Sequence, residues 1–258
     1  MKRFPILIAA ALLLTFCSCG QKTETKYLKT STTQEYIGTM TFRTETEYDS
    51  NGYQKTFTQY VNGEKTSRTE YTYTENSVVA TITQDGETGT MKQVYEKDKD
   101  GNIVRTEVYM DDALYAVTDC TYDEKSNLLS NIQNTVAIDM TFSSFYTYDD
   151  AGNQIKIVND YGDGNSSVIE NTYDENSRLL LSVISGSDGN VESREEHSWS
   201  DAGVETVHAY DANGNLTATT YMTYDEHGNM LTSETRDENG ELTLRITHTY
   251  EAFEIPVK

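Results

Sequence analysis

Proline is almost absent from this chain. Its 258 residues hold two, Pro5 and Pro256, and none lies between them. Proline cannot donate to a strand ladder and is confined to sheet edges and bulges. A long proline-free interval rich in Thr and Tyr therefore suits continuous sheet pairing. Cysteine is scarce too. Of the three, Cys17 and Cys19 fall near the N-terminus and Cys120 has no partner, so no disulfide framework holds the fold. Positive charge is in short supply: 20 Lys and Arg face 42 Asp and Glu, a net charge of −22. Such a surface repels phosphate, which excludes nucleic acid as a partner and simple docking on anionic lipid with it. The acidity serves solubility. No window of helical length outside the N-terminus shows a 3.6-residue apolar period, so a helical core is excluded as well.

The chain opens with two cations, Lys2 and Arg3, followed by an apolar run from Ile6 to Phe16. That run is too short to span about 30 Å of hydrocarbon and reads as a secretory signal over residues 1–18. The segment Phe16-Cys17-Ser18-Cys19-Gly20 resembles the bacterial lipoprotein cleavage box, in which a small residue precedes the lipidated cysteine. Ser18 makes Cys19 the better lipidation site, since Phe16 would have to fill the small slot for Cys17. Two acyl chains on one cysteine suffice for stable anchoring. Residues 19–38 are expected to be the lipidated Cys and a polar linker, and residues 39–258 the folded domain.

Within that domain a unit recurs. Tyr148-Asp149-Asp150-Ala151-Gly152-Asn153 matches Tyr210-Asp211-Ala212-Asn213-Gly214-Asn215 and Tyr224-Asp225-Glu226-His227-Gly228-Asn229. Tyr122-Asp123-Glu124-Lys125-Ser126-Asn127 substitutes Ser for Gly, and Tyr48-Asp49-Ser50-Asn51-Gly52 keeps the Gly. The aromatic anchors are Tyr48, Tyr73, Tyr95, Tyr122, Tyr148, Tyr173, Trp199, Tyr224 and Tyr250, spaced 22 to 27 residues apart. Midway through most units lies a second turn, as at Asn62-Gly63, Asp85-Gly86, Asp163-Gly164, Asp188-Gly189 and Asn239-Gly240. Asp after the aromatic can accept from backbone N–H groups two or more residues on. The Gly supplies the positive φ of a type I turn with a G1 bulge, or of a type I′ turn. Each unit is thus strand, turn, strand, turn.

Between turns the residues alternate. Met40, Phe42, Thr44, Thr46 and Tyr48 share one face, and Thr41, Arg43, Glu45 and Glu47 the other. Period two marks a half-buried strand.

A Tyr-Asp-x-x-Gly-Asn turn at this spacing resembles the YD-repeat (Rhs-type) family of bacterial surface and secreted proteins. The likeness runs over residues 39 to 251. In that family hairpins stack into a long curled antiparallel sheet, and large members form a shell around a toxin. This chain is far shorter, so the hairpin architecture is what the resemblance carries over. The Asn-Gly half-turns also look like MORN-type hairpin repeats, which imply much the same build.

The expected fold is all-β: a long antiparallel meander of about 17 strands of about 8 residues, made of 25-residue hairpin repeats. Twist accumulates, and one face is aromatic and aliphatic, so the sheet should curl into an open or flattened barrel with that face inward. A barrel of this size cannot be filled by its own side chains. A membrane pore is the competing reading, but it needs an apolar outer band where this chain carries Thr, Arg and Glu.

Candidate sites reduce mostly to repeat positions. His197 and His248 each sit two residues before an anchor, the slot that Thr46, Tyr71, Gln93, Cys120, Tyr146, Asn171 and Met222 fill elsewhere. They read as structural variants, as does Cys120. His227 lies in a turn and His208 in a strand, and neither belongs to a triad. Residues 96–107 follow a calcium-loop pattern in part, with Asp98, Asp100 and Glu107 as candidate ligands, but the same stretch is a repeat turn diluted by Lys97 and Lys99. The expectation is a non-enzymatic protein with no cofactor and no catalytic residue. It is expected outside the cytoplasm, at the cell surface or outer membrane, held by its lipid anchor. Its partners would be an envelope component, glycan or peptide, met by the inward aromatics. The alternative is an assembly protein pairing through end strands near Gly38 and Phe253.

Overall fold

The computed structural model describes residues 24–200 and 203–255. The expected signal segment 1–18 and the lipidation candidates Cys17 and Cys19 lie outside the described residues. Eighteen strands follow one another. They are β1 (Glu24–Tyr36), β2 (Met40–Tyr48), β3 (Gln54–Val61), β4 (Glu64–Tyr73), β5 (Ser77–Gln84) and β6 (Glu87–Lys97). Next come β7 (Ile103–Met110), β8 (Ala113–Tyr122), β9 (Leu128–Thr135), β10 (Met140–Tyr148), β11 (Gln154–Asp160) and β12 (Ser166–Tyr173). The last six are β13 (Leu179–Gly186), β14 (Val191–Trp199), β15 (Glu205–Asp211), β16 (Leu216–Tyr224), β17 (Met230–Asp237) and β18 (Leu242–Ile255).

Every strand pairs antiparallel with the next, and β1 pairs with β18 from Glu24↔Ile255 to Tyr36↔Leu244. The meander therefore closes into a barrel. Two expectations change. Residues 24–36 form β1, where a linker was expected, so the sheet domain begins before residue 39 and has one strand more. The end strands are not free edges near Gly38 and Phe253, because each is the other's partner; edge pairing with another chain is closed off.

Turn chemistry explains the regularity. In the loop after β10, the Asp149 N–H donates to the Asn153 carbonyl and the Gly152 N–H to the Asp149 carbonyl, while Asp149 Oδ1 accepts from the Asn153 N–H at 2.8 Å. The same pattern recurs at Asp49, Asp98, Asp123, Asp174 and Asp225, with Ser200 in place of Asp after β14. These bonds to the ionised form hold the carboxyls of Asp98, Asp123, Asp149, Asp174 and Asp225 below the usual range. All of these turns lie at one rim, the rim where β1 begins and β18 ends. The other rim is less uniform: the capped turn recurs there at Asp211 and Asp237, but other turns differ in length. Two-residue turns there put positive φ on Asn62-Gly63, Asp85-Gly86 and Asp111-Asp112.

The anchors lock the first rim. The Tyr48 hydroxyl donates to the Lys29 carbonyl at 2.9 Å, Tyr122 to Ile103 at 2.9 Å, Tyr148 to Leu128 at 2.9 Å and Tyr173 to Gln154 at 3.1 Å. The Trp199 indole N–H does the same to Leu179 at 3.3 Å. Each aromatic thus ties the end of one strand to the start of the preceding one. This is why the repeat asks for a long ring with a polar tip rather than Leu or Phe.

Strand register assigns the faces. All the buried apolar residues, Val78, Ala80, Met91, Ala116 and Val207, fall on the face that carries the anchors, and so do most of the buried polar ones. Side chains crowd on the concave side, so this face is the inner wall. The outer wall carries the ion pairs Arg43–Glu45, Arg68–Glu70, Arg105–Asp119, Lys156–Glu170, Arg194–Glu196 and Arg245–Glu234. Arg43 also lies 4.2 Å over the ring of Tyr60, and Arg194 4.1 Å over Tyr210. No large side chain among the described residues is fully buried. The wall is thus a single sheet held by its ladder and by cross-strand pairs worth about 0.2–1 kcal/mol each. A ring of eighteen strands is wide enough to leave a channel.

Candidate binding site

The inner wall is where anchors, histidines and buried carboxylate meet. Most anchors have a carbonyl partner on the neighbouring strand. Tyr224 does not follow them: its hydroxyl donates to Glu205 Oε2 at 2.5 Å. Glu205 is buried, and its other oxygen lies 2.8 Å from His197 Nδ1. Burial and the carboxylate beside it push the Tyr224 phenol well above its ordinary value, so it stays a donor. Tyr224, Glu205 and His197 therefore form a hydrogen-bonded row across β16, β15 and β14. Both the His197 and Glu205 side chains are 8% exposed. His197 Nε2 is buried and lacks a hydrogen-bond partner. The carboxylate accepts from the Nδ1–H and fixes the ring's orientation, so that Nε2 is the ring nitrogen left for another partner. Trp199, directly opposite Glu205 in the ladder, packs at 6.0 Å from the Tyr224 ring.

A second unsatisfied polar atom lies on the inner wall. The Tyr73 hydroxyl on β4 is buried without a partner, within an aromatic cluster in which Tyr53 stacks at 5.0 Å and Tyr71 at 6.4 Å. Burial raises the phenols of Tyr71 and Tyr73, and raises those of Tyr95 and Tyr122 to about 12, so all remain protonated at neutral pH. Strands β4 and β14 are ten steps apart in a ring of eighteen, close to opposite positions on the wall.

The other candidates fall elsewhere. His248 is buried on the inner wall at the closing seam, 2.8 Å from the Thr32 hydroxyl, and burial lowers its pKa. Cys120 is half-buried on the inner wall, and burial pushes its thiol up. His208 is on the outer wall against Thr219, and His227 in its turn stacks on Tyr27 at 4.0 Å. The calcium candidates are not gathered. Asp98 spends Oδ1 on the N–H groups of Asp100 and Asn102 and Oδ2 on the Asn102 amide. Asp100 pairs with Lys99, and Glu107 lies on the outer wall with Arg105 and Tyr109. No group of three or more His, Cys, Asp or Glu suited to a metal occurs among the described residues.

The residue that sequence reading passed over is Glu205. Its place opposite the anchor holds Gln54, Leu128, Gln154, Leu179 or Met230 in other units. A carboxylate in that series was the available signal.

No family model and no curated protein matches the chain. Solved structures align with parts of it. A porin-like protein from Bacteroides uniformis aligns at TM-score 0.34 and 14% identity, over 71% of this chain and 94% of that one. The complex TcdB2-TccC3 without its hypervariable C-terminal region aligns at TM-score 0.29 and 12% identity, over 76% of this chain and 14% of that one.

Proposed function

We propose that the chain is a non-enzymatic binding module of the cell envelope, held to a membrane by a lipid on Cys19 and taking a glycan or peptide against its inner wall. The observation that supports this reading is the wall itself: aromatic rings, two unpartnered buried polar atoms and a buried carboxylate, in a barrel too wide to fill itself. Binding sites are concave, largely apolar and carry a few placed polar groups. The outer wall argues for a water-borne barrel rather than a pore, since arginines and glutamates occupy it where lipid would require apolar side chains. A glycan and peptide array probed with residues 20–258 tests the reading. Saturable binding to one class supports it; an array blank at millimolar ligand overturns it. Metabolic labelling with a palmitate analogue, lost in Cys19→Ser, tests the anchor separately.

A second reading, assembly with another protein, rests on the outer wall. Phe145, Val158 and Val168 are paired in a row across β10, β11 and β12, and Phe145 is 47% exposed. Sedimentation that shows a strict monomer would remove it.

A further inference from the structure

One departure from the anchor pattern brings a charged group into the wall. Where an anchor meets the strand before it, the partner is a backbone carbonyl at Tyr48, Tyr122, Tyr148, Tyr173 and Trp199. Only at Tyr224 does a buried carboxylate take that place. A purely structural hairpin gains nothing from the exchange. A buried carboxylate costs several kcal/mol of lost hydration unless its oxygens are bonded, and Gln or Leu serves in the same slot. Glu205 is held by two donors, Tyr224 on one oxygen and His197 on the other. The result is an imidazole held in one orientation, with Nε2 left unpaired inside the wall.

We propose that Trp199, His197, Glu205 and Tyr224 form a subsite for a neutral saccharide ring, with His197 Nε2 hydrogen-bonded to a ring hydroxyl and the Trp199 indole covering an apolar sugar face. This rests on the binding-module reading and names its ligand class. Three observations on the page carry it. The unpaired Nε2 is a buried polar atom that a ligand hydroxyl can satisfy, since a hydroxyl both donates and accepts. The indole and phenol next to it offer flat apolar faces, which the C–H face of a sugar fits. Glu205 and Glu195, whose Oε2 lies 3.8 Å from Nε2, place negative charge on both sides of the imidazole and disfavour an anionic ligand. A uronic acid or phosphosugar is therefore excluded by the same site that admits its neutral counterpart.

Trp199 is the chain's single tryptophan, so intrinsic fluorescence reports on this site alone. The test titrates the purified protein with neutral gluco-, manno-, galacto- and N-acetylglucosamine oligosaccharides and with a uronic acid oligomer, followed by indole emission and by calorimetry. The expected result is saturable quenching or blue shift with a neutral oligosaccharide and none with the uronic acid. His197→Phe is expected to weaken binding at least tenfold. Tyr224→Phe, which keeps the ring but frees one oxygen of Glu205, should weaken it several-fold. Melting curves of both variants establish folding, and Tyr224→Phe serves if His197→Phe does not fold. Undiminished affinity in a folded variant overturns the subsite. So does calorimetric heat with unchanged indole emission, which leaves the binding-module reading standing with its ligand elsewhere on the wall. No heat with any sugar overturns the saccharide class. If the peptide array is blank too, the broader reading falls with it.

Discussion

The two rims of the barrel are made by the same hairpins and present opposite surfaces. At the rim where β1 begins, one Asp-capped turn is repeated almost without change, and its tips are mostly polar, as at Ser50-Asn51, Lys99-Asp100, Glu124-Lys125, Glu175-Asn176 and Glu226-His227. At the far rim the turns differ in length. Exposed apolar side chains collect there, with Ile37 at 40%, Leu114 at 40%, Val136 at 50%, Ile138 at 57% and Tyr161 at 42%. The first rim is constrained by the ladder, because each turn must return its strand so that the next anchor meets a carbonyl. At the far rim the capped turn recurs after β15 and β17, at Asp211 and Asp237, and the remaining turns vary in shape and chemistry. Regularity in this fold marks where structure is decided, and irregularity marks surface that the fold leaves open.

That contrast can be broken at its base. A chain starting at Thr39 lacks β1 and with it both ladders to β2 and β18. It should lose cooperative thermal unfolding and aggregate through its two new edges, a change visible by calorimetry and light scattering.

Single glycines sharpen it. Gly162 at the far rim has φ +75°, and a Cβ there would come within 2.2 Å of the Thr141 carbonyl oxygen. Gly162→Ala should cost about 3 kcal/mol, combining left-handed strain with a backbone clash. Gly152 at the regular rim has φ +88° and open space around it. Gly152→Ala should cost only about 1 kcal/mol, the strain alone. Urea unfolding of the two variants compares them; equal costs would deny the difference. In the opposite direction, Asp112 holds φ +66° in a two-residue turn with no glycine. Asp112→Gly should stabilise by up to about 1 kcal/mol.

Acid should strike the capped turns first. The folded pKa values of Asp98, Asp123, Asp149, Asp174, Asp211 and Asp225 are lowered, so their contribution is complete above the ordinary carboxylate pKa of about 4 and is lost as pH falls through the folded values. The melting temperature should therefore be flat from about pH 7 to 5 and fall below about pH 4. Hydrogen exchange should show the capped turns opening before Asn62-Gly63, which has no such carboxylate. The smallest effect belongs to the apolar tips. Ile138→Lys should change unfolding free energy by less than about 0.5 kcal/mol, while lowering the binding of a hydrophobic dye.

Much of the barrel was legible in the residues, because its rules are local. Anchor spacing, turn glycines and alternation gave the strands from β2 to β18, and the aromatic face did turn inward. What was missed is non-local. The segment Glu24–Tyr36 has no capped turn before it and reads as polar linker, yet it is recruited because β18 and β2 would otherwise be open edges. No short-range pattern encodes that the first strand meets the last. The site was hidden for the same reason. His197 looks like a repeat variant on its own strand, and acquires meaning only when register sets it beside Glu205 and Tyr224 on the two strands that follow.

The closing seam has a mechanical consequence. Because β1 and β18 are antiparallel neighbours, Glu24 and Ile255 leave the barrel at the same rim, side by side. A load applied between them parts the seam one rung at a time, as a zipper opens, instead of shearing all its rungs together. The barrel should yield at low force along this line and then unroll hairpin by hairpin. The same adjacency permits the two ends to be joined by a short linker and the ring to be cut instead at a far-rim turn such as Asn62-Gly63.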